Sequence, residues 1–175
     1  MTFSIVNRKW PTDMGAMLGG RKTDSSTIWH RHPPTAQRTP RAGASLLQDK
    51  RVLVADDNRT NRYLLRLLMG RAGAEVTEVE DGAQALEAWV PGRFDILLFD
   101  IMMPNMSGVD ALRAIRQRSV ARTFKEVAVA VTTDFTPASL ETYRLAGFDA
   151  CAYKPVSPGD FIALLEDVCT CRPNH

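Results

Sequence analysis

Five side chains in this 175-residue chain could do chemistry together if the fold brings them to one place: Asp56, Asp57, Asp100, Thr132 and Lys154. Three carboxylates packed within a few ångströms repel one another and lose hydration, a cost that a cation among them removes. Ligands that are all oxygen favour Mg²⁺ or a similarly hard ion. With such an ion in place, one carboxylate can act as a nucleophile toward a phosphorylated donor. The metal and the Lys154 ammonium would then neutralise charge on the phosphoryl oxygens. The Thr132 hydroxyl is suited to hydrogen-bond one of those oxygens and so turn a covalent change into a loop and helix movement.

The elements that must position these residues are written in the apolar pattern from Lys50 onward. Short apolar runs at 51–55, 94–99, 127–131 and 150–153 read as strands, with 75–79 a further short strand between the first two. Amphipathic stretches at 59–72, 82–90, 107–119, 137–146 and in the final segment read as helices. The first carries Leu64, Leu65, Leu68 and Ala72 on one stripe, with Gly73 closing it. The third carries Val109, Leu112 and Ile115, and the last Phe161, Leu164, Leu165 and Val168. Strict alternation of strand and helix argues for a doubly wound parallel sheet covered on both faces, whose functional site lies at the carboxyl ends of the strands. Asp56 and Asp57 follow the first of these strands, Asp100 the third, Thr132 the fourth and Lys154 the fifth. Asp100, on the central strand between the others, is the candidate nucleophile.

Composition narrows the function classes. The chain is 45% hydrophobic and 24% charged, as soluble globular chains are. Its net charge of +2 divides into +4 over residues 1–49 and −2 over the rest, with no basic face for nucleic acid. No apolar run is long enough to span a bilayer or to serve as a signal peptide, so no membrane partner and a cytoplasmic location are expected. Cys151, Cys169 and Cys171 suit reduced thiols better than disulfides, and the Cys169-x-Cys171 pair lacks the second ligand pair of a structural zinc site. Residues 1–49, with Gly19-Gly20, Pro33-Pro34 and Pro40, read as an N-terminal extension without helical or strand period. His30 and His32 within it read as linker residues, and Trp89 as a helix-packing residue.

The segments VLVADDN at 52–58, DIMMPNMSG at 100–108, VTT at 131–133 and KP at 154–155 together resemble response-regulator receiver domains over residues 50–171. Asn58 and Asn61-Arg62 resemble the receivers of hybrid histidine kinases in particular. The resemblance implies a flavodoxin-like five-stranded parallel sheet in the order 2-1-3-4-5. It also implies that Asp57, Asp100 and the Met102 backbone carbonyl ligate Mg²⁺, that Asp56 acts through water, and that Asp100 is phosphorylated. The phosphodonor would be a histidine kinase or histidine phosphotransfer protein. Output would pass by protein contacts to an unknown downstream protein, because the 21 residues after Lys154 leave room for a last helix and not for a DNA-binding domain. Such a protein is a switch that catalyses only its own phosphorylation and dephosphorylation. Pro155 resembles the family's proline after the lysine, often preceded by a cis peptide bond.

Two positions depart from the family pattern. Cys151 stands where an aromatic ring usually couples to the threonine, and Thr133 where a small residue is common. Other readings compete with the receiver one. The aspartates could serve only as helix N-caps, and Lys154 could be a solvated surface lysine. A haloacid-dehalogenase-like phosphatase would carry a second acid two residues after its nucleophile, where this chain has Met102. A pseudo-receiver scaffold is a further alternative. Residues 14–34 faintly resemble the end of a kinase ATP-binding domain, which would make the chain a degenerate hybrid histidine kinase fragment.

Overall fold

The computed structural model describes residues 8–9 (backbone only), 45–118 and 126–170. His30, His32, Cys171, the 14–34 segment and most of the N-terminal extension lie outside the described residues. The elements run β1 (Arg8–Lys9), β2 (Arg51–Ala55), α1 (Arg59–Arg71), β3 (Glu75–Val79), α2 (Gly82–Ala88), β4 (Ile96–Asp100), α3 (Gly108–Arg118), β5 (Val127–Thr132), α4 (Pro137–Ala146), β6 (Ala150–Tyr153) and α5 (Pro158–Thr170).

Because side chains alternate across a strand, each central strand feeds both layers of the core. Leu53, Ala55, Leu97, Phe99, Ala128 and Ala130 face one layer, with Ala85 of α2, Leu112 and Ile115 of α3 and Tyr143 of α4. Val52, Val54, Ile96, Leu98, Val129 and Val131 face the other, with Leu65 and Met69 of α1 and Phe161 and Leu165 of α5. Every residue of β4 and β5 is buried, which is why those runs are apolar without alternation. The sheet order is β1-β6-β5-β4-β2-β3. Counted alone, the five parallel strands β2 to β6 stand in the order 2-1-3-4-5, as expected from the sequence. The order reverses between β2 and β4, so the carboxyl ends of these two neighbours, Ala55 opposite Phe99, open the crevice where Asp56 and Asp100 emerge.

Local chemistry sets the helix ends. Asn58 caps α1, its side chain accepting from the N–H groups of Thr60 at 2.9 Å and Asn61 at 3.4 Å. Thr136 caps α4 with Pro137 just inside, and Gly147 ends that helix in the left-handed region at φ +98°.

Three details differ from the sequence expectation. Arg8–Lys9 adds a sixth, antiparallel strand on β6, pairing Arg8 with Cys151 and Lys9 with Ala150, and a two-residue strand is too short to carry any period. Leu47, ahead of the first parallel strand, is fully buried in the layer under α1 and α5. The inner stripe of α1 is Arg62, Leu65 and Met69, while Leu64 is 53% exposed. Leu65, Leu68 and Ala72 pack on the core as their spacing requires, and Arg62 and Met69 join them in place of Leu64.

Candidate functional site

The carboxyl ends of β2, β4 and β6 bring four of the expected residues together. One carboxylate oxygen each from Asp56, Asp57 and Asp100 lie within 4.8 Å of one another. Asp56 and Asp100 are buried and Asp57 is exposed, so the cluster opens to solvent on one side. Lys154 Nζ donates to Asp56 Oδ2 at 2.7 Å and to Asp100 Oδ2 at 2.6 Å. The Lys154–Pro155 peptide bond that follows is cis.

Each carboxylate has a different surrounding. Asp56 Oδ1 accepts from the Asn58 N–H at 2.9 Å and from Asn61 Nδ2 at 3.2 Å, so with Lys154 both its oxygens are held. Asp100 Oδ1 accepts from the Met102 N–H at 3.2 Å. Burial pushes the Asp100 carboxyl above its ordinary range; the hydrogen bond and charge of Lys154 oppose the rise, and the negative Asp56 adds to it. An all-oxygen set of three carboxylates around one opening has the donor chemistry of a hard divalent cation.

Thr132 ends β5, one residue beyond Val131, which pairs with Asp100 across the ladder. It is fully buried, and its Oγ1 accepts from the Asp134 N–H at 3.0 Å. Met102 exposes its side chain, leaving its backbone as the part that faces the acid site.

The loop from Asp100 to Gly108 is tied down at several points. Gly108 lies against the Asp100 carbonyl so closely that a Cβ could not fit. Asn105, at φ +62°, donates from Nδ2 to Asp81 Oδ2 at 2.8 Å, and the Gly82 N–H donates to the Met106 carbonyl at 3.2 Å. Asp81 is also the N-cap of α2. Arg62 reaches from α1 to the backbone of the Asp56-Asp57 pair. Asp81, Asn105 and Arg62 fall outside the residues singled out as chemical from sequence. The D-D-N-x-x-N-R spacing at 56–62 carried the only advance signal, for Arg62 and Asn61.

Cys151 is fully buried in the same core cluster as Tyr143 and Phe148, whose rings meet edge to face at 6.3 Å. The Tyr143 hydroxyl donates to the Asp134 carbonyl at 3.3 Å, so α4 brings an aromatic side chain to the segment just after Thr132. Tyr153 packs edge to face on Phe135 at 5.7 Å. Trp89 is buried as expected, at the end of α2, and donates to Glu126 Oε1 at 2.9 Å.

The response regulator receiver domain profile matches residues 52–166. The chain belongs to that family. It is 31% identical over 122 residues to the sensory/regulatory protein RpfC of Xanthomonas campestris, covering 70% of this chain and 17% of that one. It is 34% identical over 126 residues to the sensor protein GacS of Pseudomonas syringae, covering 71% and 13%. The chain thus spans less than a fifth of these curated relatives, in which the matched portion is the receiver of a hybrid histidine kinase. Among solved structures it resembles the chemotaxis protein CheY4 of Vibrio cholerae, with a TM-score of 0.63 and 28% identity over 69% of this chain and 98% of that one. It also resembles the receiver domain of the sensor histidine kinase PA1611 from Pseudomonas aeruginosa, which carries a magnesium ion in its active-site cleft. There the TM-score is 0.62, with 25% identity over 70% and 98%. Receiver domains of this kind belong to two-component phosphorelays and partner with histidine kinases or phosphotransfer domains. Among the described residues, no helix is long and apolar enough to cross a membrane.

Proposed function

We propose that the chain accepts a phosphoryl group on Asp100 from a phosphohistidine donor and signals through protein contacts. The observation that carries this reading is the convergence of Asp56, Asp57 and Asp100 within 4.8 Å, with Lys154 bonded to two of them. The Asp57 and Asp100 carboxylates and the Met102 backbone carbonyl would hold Mg²⁺, with Asp56 on its water shell. The ion would supply positive charge against the carboxylates and the phosphoryl oxygens.

A carboxylate oxygen of Asp100 attacks phosphorus. The O–P bond forms as the donor's P–N bond breaks, and the electron pair leaves with the imidazole nitrogen. Lys154, already 2.6 Å from Asp100, is placed to pair with a phosphoryl oxygen. The Thr132 hydroxyl lies at the next strand end; its O–H can donate to a phosphoryl oxygen while Oγ1 still accepts from the Asp134 N–H, so that bond would carry the hydroxyl's movement into the segment after β5. The segment leading into α4 would then move, and protein contacts would read the change. The chain needs no turnover of a second substrate for this, and it acts as a switch.

The test is incubation of the full chain with Mg²⁺ and acetyl phosphate, followed by intact-mass measurement and peptide mapping. The expected result is one hydroxylamine-labile phosphoryl group on Asp100 and none on the Asp100→Asn variant. Label on His30 or His32, or label undiminished in Asp100→Asn, would sink the assignment.

A further inference from the structure

Arg62 stands on the inner stripe of α1 with Leu65 and Met69, at a position where an apolar side chain would pack at lower cost. Its side chain is 11% exposed, and two of its three side-chain hydrogen bonds reach the backbone of the acid pair. Nη1 donates to the Asp56 carbonyl at 2.8 Å and to the Asp57 carbonyl at 3.1 Å. Nη2 donates to Glu80 Oε1 at 2.6 Å. On the same helical turn, Asn61 holds the Asp56 carboxylate itself.

We propose that Arg62 is a positioning residue for the metal site: its guanidinium clamps the backbone of Asp56 and Asp57 and thereby fixes where their two carboxylates point. This rests on the reading of those carboxylates as Mg²⁺ ligands. A peptide unit is planar, so holding the two carbonyls holds two successive planes. That sets the direction of the Asp57 Cα–Cβ bond, which lies between the two planes; for Asp56 the plane before it is held by its own N–H, which donates to the Val79 carbonyl at 3.3 Å. A planar fork carries its donors on separate nitrogens, so Nη1 serves both carbonyls while Nη2 reaches Glu80; an ammonium gathers its three donors on one nitrogen and does not span the same distance.

Charge and positioning predict opposite signs. A fixed cation behind the pair repels Mg²⁺, so if Arg62 acted by charge alone, removing it would tighten metal binding. If it acts by position, removing the fork weakens binding whether or not the charge is kept. Loss of a group that orients metal ligands typically costs about 10- to 100-fold in metal affinity.

The test is calorimetric titration of the full chain with Mg²⁺, with thermal melts in chelator run alongside. The proteins are wild type, Arg62→Lys, Arg62→Gln and Asp57→Ala. Wild type should saturate and Asp57→Ala should not. Both Arg62 variants should melt cooperatively and show a Kd raised about 10- to 100-fold. An unchanged or lower Kd in both, whatever happens to their melting temperatures, overturns the positioning role and leaves the metal site standing. A wild type that fails to saturate overturns the metal reading and this inference with it. Glu80→Ala removes only the outer anchor of the guanidinium and should raise the Kd by a smaller factor. If the Arg62 variants do not fold, an unchanged Kd in Glu80→Ala overturns the proposal.

Discussion

Lys154 Nζ lies 2.6 Å from Asp100 Oδ2, and the same ammonium reaches Asp56 Oδ2 at 2.7 Å, so one cation just past the end of β6 bridges two buried carboxylates. Without added metal, this bridge is the main offset to the repulsion between them. Lys154→Met leaves both acids uncompensated, a change expected to cost about 3–5 kcal/mol at neutral pH. The loss should shrink in more acid buffer, because burial raises the Asp100 carboxyl above its ordinary value and so favours its neutral form. Urea denaturation in chelator at the two pH values checks this; an equal loss at both would show that the lysine contributes packing and not charge.

Asp81 predicts a pH dependence of the opposite kind. The backbone N–H of Gln84, and then the Asn105 amide, hold its carboxyl below the ordinary value of 3.8. A carboxyl whose folded pKa is depressed contributes stability that is complete above its unfolded value and lost as pH falls through the folded one. The window is therefore below about 3.8. Asp81→Ala should cost about 0.5–2 kcal/mol at neutral pH as a lost cap. It should also flatten the decline in stability on the acid side. Melting temperatures across that range decide it, and a variant whose acid decline matches wild type would remove Asp81 as its source.

Much of this architecture was legible from period and punctuation. The runs of β4 and β5 are apolar because those strands are buried on both faces, and the stripe of Phe161, Leu164, Leu165 and Val168 is buried as its spacing requires. Asp56, Asp100, Thr132 and Lys154 could be placed because a parallel sheet sends its strand ends to one edge. What escaped depended on contacts distant in sequence. Leu47 precedes every periodic element, and only the fold shows it buried beneath α1 and α5. Arg62 was marked only by the resemblance of Asn61-Arg62 to hybrid-kinase receivers, because its partners lie in two other segments that the fold brings to it. Asp81 and Asn105, 24 residues apart, gave no sign of bonding to each other.

The departure at Cys151 has a packing explanation. Tyr143 and Phe148 share its core cluster and are themselves almost fully buried, so a ring at 151 would have to enter a core that already holds two rings. Cys151→Tyr should therefore destabilise by overpacking, about 1–3 kcal/mol. In a Tyr143→Ala background the same substitution should cost less, because the two positions compete for one volume. A double-mutant cycle in urea measures the coupling. Additive effects would show that Tyr143 does not occupy the room that the family's aromatic residue uses.

The acid pocket makes the sharpest prediction, because a metal site and a set of helix caps respond with different signs. Asp56, Asp57 and Asp100 place carboxylate oxygens within 4.8 Å of one another, and a single lysine pairs with only two of the three. Mg²⁺ should bind the folded pocket and scarcely the unfolded chain, raising the melting temperature with a saturating dose dependence. At a concentration near 100 times its Kd, the linkage is worth about 2.7 kcal/mol, well within reach of a thermal shift. Removing one negative charge should do the reverse in chelator: Asp57→Ala and Asp100→Asn should be at least as stable as wild type. Burial already disfavours the charged form of Asp100, so a neutral amide there loses a lysine partner and also loses a desolvated charge. Both variants should give up most of the Mg²⁺ response. Caps behave otherwise, since losing an aspartate cap costs about 0.5–2 kcal/mol with or without metal. If both variants are destabilised in chelator while Mg²⁺ leaves wild type unmoved, the carboxylates are structural and the phosphoacceptor reading of Asp100 fails with them.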